Sequence, residues 1–109
     1  DLKDRKCEAC RVGAPLVTQE EMDELVRQIP DWHIIEEEGT QRLVRTFKFQ
    51  NFTEALSFTT KVGEQAEAEG HHPTIVTEWG KVTLTWWSRK IKGLHVSDFI
   101  MAAKSDSIV

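Results

Sequence analysis

The stretch that decides the fold runs from residue 67 to residue 89 and reads EAEGHHPTIVTEWGKVTLTWWSR. A helical pattern stops at Gly70, and residues that favour strands begin after Pro73. Residues 74–79 and 82–88 are rich in β-branched and aromatic side chains, and the Gly-Lys pair between them is typical of a hairpin turn. The stretch therefore predicts the end of a helix followed directly by two antiparallel strands.

The residues before this stretch predict a first helix and a first hairpin. Thr18 and Glu21 have the spacing of a capping box, and apolar residues follow at helical spacing until Pro30. Aromatic and β-branched residues over 32–35 and 43–49 predict two strands. Residues 36–40, three glutamates followed by Gly39 and Thr40, are predicted to form the turn between these strands.

Two further helices, over about residues 51–69 and 95–104, complete the pattern. The order α-β-β-α-β-β-α predicts an α+β fold, in which a four-stranded antiparallel sheet carries three helices on one face as a two-layer sandwich. We assign all 109 residues to a single domain, with residues 1–17 as a polar lead-in.

The last predicted strand shows what the open face of this sheet carries. Alternation directs Val82, Leu84 and Trp86 toward the helices, together with Ser88, and leaves Trp87 and Arg89 on the other side. A tryptophan beside a cation suits a flat ligand that forms hydrogen bonds. It suits a subunit interface equally well.

Composition narrows the class of protein. The net charge is −4, and no basic stripe suitable for phosphate contacts is present, so we expect no direct binding to nucleic acid. No apolar run approaches the roughly 18 residues that cross a bilayer, and no leader pattern precedes the first helix. We therefore expect a cytoplasmic protein without a membrane partner.

Histidines and cysteines are the candidates for chemistry. His71 and His72 are adjacent imidazoles that can exchange protons near neutral pH, which favours acid–base catalysis or metal binding, although a solvated connection also fits this segment alone. Cys7 and Cys10 form a single C-x-x-C, without the second pair that a zinc site needs and without thioredoxin-like context. We predict no metal, and a mixed Cys/His zinc site ranks last among the interpretations.

The chain resembles the pterin-4a-carbinolamine dehydratase family, whose animal members are also dimerisation cofactors of a homeodomain transcription factor. The resemblance covers essentially the whole chain and extends to the lead-in over residues 7–11, which is similar to bacterial members. The family signature is an acidic residue, His-His-Pro, an aromatic residue, a third histidine and an aspartate at fixed spacings. It falls here on Glu67, His71, His72, Pro73, Trp79, position 89 and Asp98.

The resemblance implies dehydration of 4a-hydroxytetrahydrobiopterin to quinonoid dihydropterin in tetrahydrobiopterin recycling, without a cofactor. It implies that His71 exchanges protons, that His72 binds and orients the pterin edge, and that Pro73 stiffens their turn. Glu67, one helical turn before His71, is expected to orient it.

The remaining implied roles concern binding and assembly. Trp79 and Trp87 are expected to contribute to packing or to the wall of the substrate site, and Asp98 to act mainly as a structural cap of the last helix. The family also implies a homodimer or homotetramer. An aromatic amino acid hydroxylase or another protein is a further candidate partner.

One position departs from the family pattern, because Arg89 occupies the place of the third active-site histidine. A guanidinium stays protonated, so Arg89 cannot shuttle protons, although it can donate hydrogen bonds to the departing hydroxyl or a ring carbonyl. We therefore predict a dehydratase with reduced activity. The alternative is a non-catalytic relative that binds a pterin or another protein.

Overall fold

Four antiparallel strands form one sheet in the order β1-β2-β4-β3 in the computed structural model, which describes residues 2–4 and 16–109. Three α-helices and a short 3-10 helix, Leu2–Asp4, complete the described chain. The strands are β1 His33–Glu37, β2 Thr40–Lys48, β3 Thr74–Glu78 and β4 Lys81–Trp86, and the helices are α1 Gln19–Val26, α2 Phe52–Glu69 and α3 Val96–Ile108. The predicted α-β-β-α-β-β-α order and fold class are confirmed. Cys7, Cys10 and most of the predicted lead-in lie outside the described residues.

Side-chain caps start the first two helices. Thr18 Oγ1 accepts a hydrogen bond from the Glu21 amide, and Glu21 Oε1 accepts one from the Thr18 amide, so the predicted capping box is present. Asn51 Oδ1 accepts from the Glu54 amide at 2.9 Å and starts α2 in the same way.

The core lies between one face of the sheet and the helices. The predicted alternation in β4 is confirmed, because Val82, Leu84, Trp86 and the following Ser88 are all buried. Buried partners come from β2 (Leu43, Phe47), from α2 (Ala55, Phe58, Val62, Ala66) and from α3 (Phe99, Ile100, Met101, Ala102). Trp87 is half-buried on the open face, and Arg89 is exposed.

The first hairpin is tighter than predicted. The strands continue through the charged segment and leave only Glu38 and Gly39 between them, with φ values of 52° and 76°. Two successive positive φ angles give the hairpin turn whose twist matches that of the strands. The prediction of a turn over residues 36–40 is wrong because β1 is an edge strand, where charged side chains remain in solvent.

Helix α3 is longer than predicted and ends at Ile108 instead of near residue 104. Tertiary contacts hold its polar last turns against the sheet. Ser105 Oγ accepts from Trp86 Nε1 at 3.3 Å, and Asp106 Oδ1 accepts from Trp32 Nε1 at 2.9 Å and from Arg45 Nη1 at 2.6 Å. No helix in the described part of the chain combines the length and apolarity needed to cross a membrane.

Candidate functional site

The two adjacent histidines follow a helix end that Gly70 makes possible. Gly70 has φ 70° and ψ 21°, a left-handed conformation that a Cβ atom disfavours. Its amide donates to Glu67 O at 3.3 Å, and the His71 amide donates to Ala66 O at 3.2 Å. This pair of bonds reverses the chain at a fixed angle, so that His71 enters the interior and His72 stays at the surface.

His71 lies under the surface with 1% of its area exposed. Its Nε2 donates to Asp98 Oδ1 at 2.6 Å, and its ring stacks on Trp86 with the centroids 5.4 Å apart. The imidazole is thus enclosed by Trp86 and Asp98 and has almost no exposed surface. The predicted exchange of protons between His71 and the pterin stays a prediction, and the observed contacts place His71 beneath the turn.

Asp98 connects this histidine to α3. Its Oδ2 accepts from the His95 amide at 2.9 Å, as part of a capping box, which confirms the predicted capping role. The same oxygen accepts from Ser88 Oγ at 2.8 Å. These donors compensate the desolvation of a carboxylate with no exposed surface. Sequence reasoning missed the contacts of Asp98 with His71 and Ser88, because periodicity shows only neighbours on one element.

His72 is the exposed member of the pair. Its Nε2 donates to Glu67 Oε1 at 2.7 Å, and the two side chains are 58% and 81% exposed. The prediction that Glu67 orients His71 is wrong, because the Gly70 turn brings His72 back over the last turn of α2. Glu67 therefore fixes the ring of His72, and Nδ1 of that ring is the atom left for a ligand.

Arg89 reaches the same turn from the end of β4. Its Nη1 donates to the His72 carbonyl oxygen at 2.9 Å, and its Nη2 donates to Thr74 Oγ1 at 3.3 Å. The guanidinium carbon lies 4.1 Å from the centroid of the Trp87 ring. Arg89 is thus placed at the predicted site, but it contacts the protein main chain there.

Arg42 lies next to this site and not in it, with its guanidinium carbon 4.1 Å from the Trp87 centroid and its hydrogen bond directed to Glu37. This contact follows from the strand register, since the pairing of Leu43 with Trp86 brings Arg42 beside Trp87. The turn predicted before β2 was too long, so the register of β2 against β4 was not predicted. Thr74 was missed for a similar reason, because its role depends on the pairing of β3 with β4.

Trp79 lies apart from these residues. It follows β3 with 73% of its surface exposed, whereas His72 precedes that strand. Five strand residues at about 3.3 Å each separate the two ends by about 16 Å. The structure does not bring Trp79 to His72 within one protomer. Pro73 is half-buried between His72 and β3, and its ring fixes the backbone φ angle at that point.

Comparison with known proteins identifies the family to which this geometry belongs. A family model described as pterin 4 alpha carbinolamine dehydratase matches residues 15–108. The chain belongs to the pterin 4 alpha carbinolamine dehydratase family. Two relatives of similar length carry the name "Putative pterin-4-alpha-carbinolamine dehydratase". The protein from Syntrophotalea carbinolica is 59% identical over 99% of this chain and 96% of its own, and that from Nitrosococcus oceani is 61% identical over 100% and 96%.

Solved structures agree with this family assignment. A structure described as a transcriptional coactivator/pterin dehydratase from Brucella melitensis gives a TM-score of 0.77 at 29% identity, over 86% of this chain and 98% of its own. A pterin dehydratase-like protein described as a RuBisCO assembly factor gives 0.60 at 19% identity, over 72% and 88%, and shows likeness of fold alone.

The spacing of possible metal ligands can be described for residues 2–4 and 16–109. No three His, Cys, Asp or Glu side chains converge there in a way that could hold a metal ion. His71 and His72 each face a carboxylate, but they point in different directions. At the surface, the imidazole of His72, which can exchange a proton, lies beside the N–H donors of the Arg89 guanidinium.

Proposed function

We propose that this chain, as a single domain, dehydrates 4a-hydroxytetrahydrobiopterin to quinonoid dihydropterin and water. One observation carries the proposal: the exposed His72–Glu67 pair lies beside Arg89 on the motif that the family uses for its active site. Family membership supports the reaction class. Tetrahydrobiopterin recycling serves aromatic amino acid hydroxylases, so such a hydroxylase is the proposed functional partner and the cytoplasm the proposed location.

The reaction requires one proton at the leaving oxygen and the loss of another from nitrogen. In the proposed mechanism, protonated His72 donates from Nδ1 to the 4a-hydroxyl oxygen. The C4a–O bond breaks as the N5 lone pair forms a double bond to C4a, and water leaves. Neutral His72 then accepts the N5 proton, which restores its starting state. This cycle balances without a metal or an organic cofactor.

The neighbouring residues have distinct proposed roles. Glu67 holds the His72 ring through Nε2 and leaves Nδ1 toward the pterin. Pro73 and the edge of Trp87 form the adjoining surface, and His71 supports the turn from below through Asp98. This assigns proton exchange to His72 in place of His71.

We further propose a homodimer formed along β3. Both β1 and β3 are sheet edges, but β1 carries consecutive glutamates, whereas β3 has β-branched residues and an exposed Val76. Charged edges resist pairing and apolar, β-branched edges favour it. An antiparallel pair centred on Val76 would place Trp79 of the second copy opposite Pro73. Trp79 would then line the site of the other protomer.

The test is stopped-flow absorbance of freshly generated 4a-carbinolamine, with and without the purified protein. A decay rate that rises in proportion to protein concentration, with quinonoid dihydropterin as the product, supports the proposal. Decay at the buffer rate, in a protein whose binding of a reduced pterin is shown by calorimetry, would instead favour a non-catalytic pterin-binding protein.

A further inference from the structure

We infer that Arg89 is a positioning residue, which holds the main chain of His72 and does not act on the substrate. The inference deepens the proposed function and rests on it. In the family the position carries a histidine, which can exchange protons, whereas here the side chain has taken a role in holding the turn.

The main chain at Arg89 is anchored through the preceding residue, Ser88. Ser88 exchanges two main-chain hydrogen bonds with Gly93, at 2.9 and 3.3 Å, and its side chain donates to the buried Asp98 carboxylate. The guanidinium then lies against the Trp87 indole at 4.1 Å. A cation on an aromatic face, with an anchored main chain, has few orientations to choose from.

The far end of Arg89 spans the proline of the motif. Nη1 donates to the carbonyl oxygen before Pro73, and Nη2 donates to the hydroxyl of the residue after it. The Gly70 turn fixes the same segment from the α2 side. The main chain at His72 is therefore held by the end of α2 on one side and by Arg89, which follows β4, on the other, while Glu67 holds the ring.

The absence of a charged partner for Arg89 among the described residues supports its role in positioning His72. Among the described residues, no carboxylate lies within ion-pair distance of Arg89, and its partners are a carbonyl and a hydroxyl. Arg42, at the same distance from Trp87, forms an ion pair with Glu37 at 2.9 Å. The two arginines share the aromatic contact and differ in their hydrogen-bond partners. Arg42 is thus a matched control.

A spectroscopic test detects the hydrogen bond between Arg89 and the His72 carbonyl without any catalytic turnover. His72-Pro73 is the only His-Pro pair in the sequence, so carbon-13 at histidine carbonyls and nitrogen-15 at proline give a single correlation in a carbon-detected spectrum. We expect Arg89→Ala to shift the His72 carbonyl resonance in the direction of a lost hydrogen bond, and Arg42→Ala to leave it in place. An unchanged resonance in Arg89→Ala would overturn the inference, whether or not the protein is a dehydratase.

Kinetic measurements then test whether the hydrogen bond from Arg89 to the His72 carbonyl affects the reaction. Because misplacement of a catalytic group by about 1 Å can cost on the order of 10²-fold, we expect Arg89→Ala to lower kcat by about 10-fold to 10²-fold with little change in KM. Arg42→Ala should leave both constants at their native values. Millimolar guanidinium chloride should restore part of the lost kcat, and sodium chloride at equal ionic strength should not.

The alternatives give different results. A rise in KM with unchanged kcat would make Arg89 a substrate-binding residue and overturn the inference. An active native protein with native kcat in Arg89→Ala would do the same. Failure of the proposed function alone would appear as an inactive native protein whose carbonyl resonance still responds to Arg89→Ala.

Discussion

His71 and His72 are neighbours in the chain with opposite surroundings. His71 is buried and hydrogen-bonded to Asp98, whereas His72 is exposed and hydrogen-bonded to Glu67. Sequence could identify the pair and the motif around it, because both depend on residue type and spacing. It could not assign the two roles, since these depend on the angle at which the chain leaves Gly70. That angle is a three-dimensional property of the helix end.

We predict that His72→Ala loses catalytic rate, whereas His71→Ala loses stability. His72→Ala should lower kcat by about 10²-fold to 10⁴-fold, the usual contribution of a proton-transfer group, and leave the melting temperature near its native value. His71→Ala removes a buried partner of Asp98 and should destabilise the fold by about 1–3 kcal/mol. Thermal unfolding and stopped-flow turnover on both variants check this. Normal turnover in His72→Ala would refute the assignment.

Asp98 carries a second prediction at the residue scale. Asp98→Ala removes a helix cap and the acceptor for His71 and Ser88, so the free energy of unfolding should fall by at least about 2 kcal/mol. Asp23→Ala is the control, because that exposed carboxylate accepts only a surface glutamine side chain among the described contacts. Urea unfolding measures both. Equal effects of the two substitutions would contradict the role given to Asp98.

At the scale of the elements, the left-handed residue that ends α2 decides where the site forms. Gly70→Ala should cost about 1–2 kcal/mol, because an L-residue is strained at φ 70°. It should also lower kcat, since the turn that presents His72 depends on that angle. Gly63 lies inside the same helix, and a Cβ atom built there meets no heavy atom within 4 Å.

Gly63→Ala is therefore expected to stabilise the protein by about 0.5–1 kcal/mol and leave kcat unchanged. Thermal unfolding and turnover of the two glycine variants, measured side by side, test the claim. A loss of stability in neither variant would show that helix propensity, and not the turn geometry, dominates, and a loss in both would contradict the gain expected at Gly63.

The elements also show where sequence reasoning reaches its limit. Caps at Thr18 and Asn51 and the alternation in β4 are local patterns, and all were predictable. The length of the first turn and the end of α3 depend on distant partners. Arg42 could not be placed beside Trp87 without the strand register, which the predicted turn had set wrongly.

At the scale of the whole molecule, the two sheet edges differ in charge, and this predicts the assembly. Val76→Lys would put like charges opposite each other in a β3–β3 pair, which is destabilising. We expect the native chain to show a mass of two or four times the 12.5 kDa monomer in light scattering, and Val76→Lys to dissociate along the β3 edge. Ile35→Lys, on an exposed face of the other edge strand, should leave the assembly intact. Dissociation by Ile35→Lys alone would place the interface on β1.

The same assembly predicts complementation between defective copies. If Trp79 acts at the site of the other protomer, His72→Ala and Trp79→Ala homodimers should both be impaired. Mixed dimers would each contain one site with both native residues, so a random 1:1 mixture should regain about a quarter of native activity. Activity measured after subunit exchange tests this. No recovery, with exchange verified by mass spectrometry, would confine Trp79 to a role within its own protomer.

The central claim is that this chain dehydrates a pterin 4a-carbinolamine through the exposed His72, whose main-chain carbonyl accepts a hydrogen bond from Arg89. The most direct measurement is the stopped-flow rate of 4a-carbinolamine decay at saturating substrate, for the native chain and for His72→Ala. The account predicts a native rate well above the buffer rate and a loss of about 10²-fold or more in His72→Ala. A native chain that leaves the decay at the buffer rate, or a His72→Ala variant that retains the native rate, would contradict it.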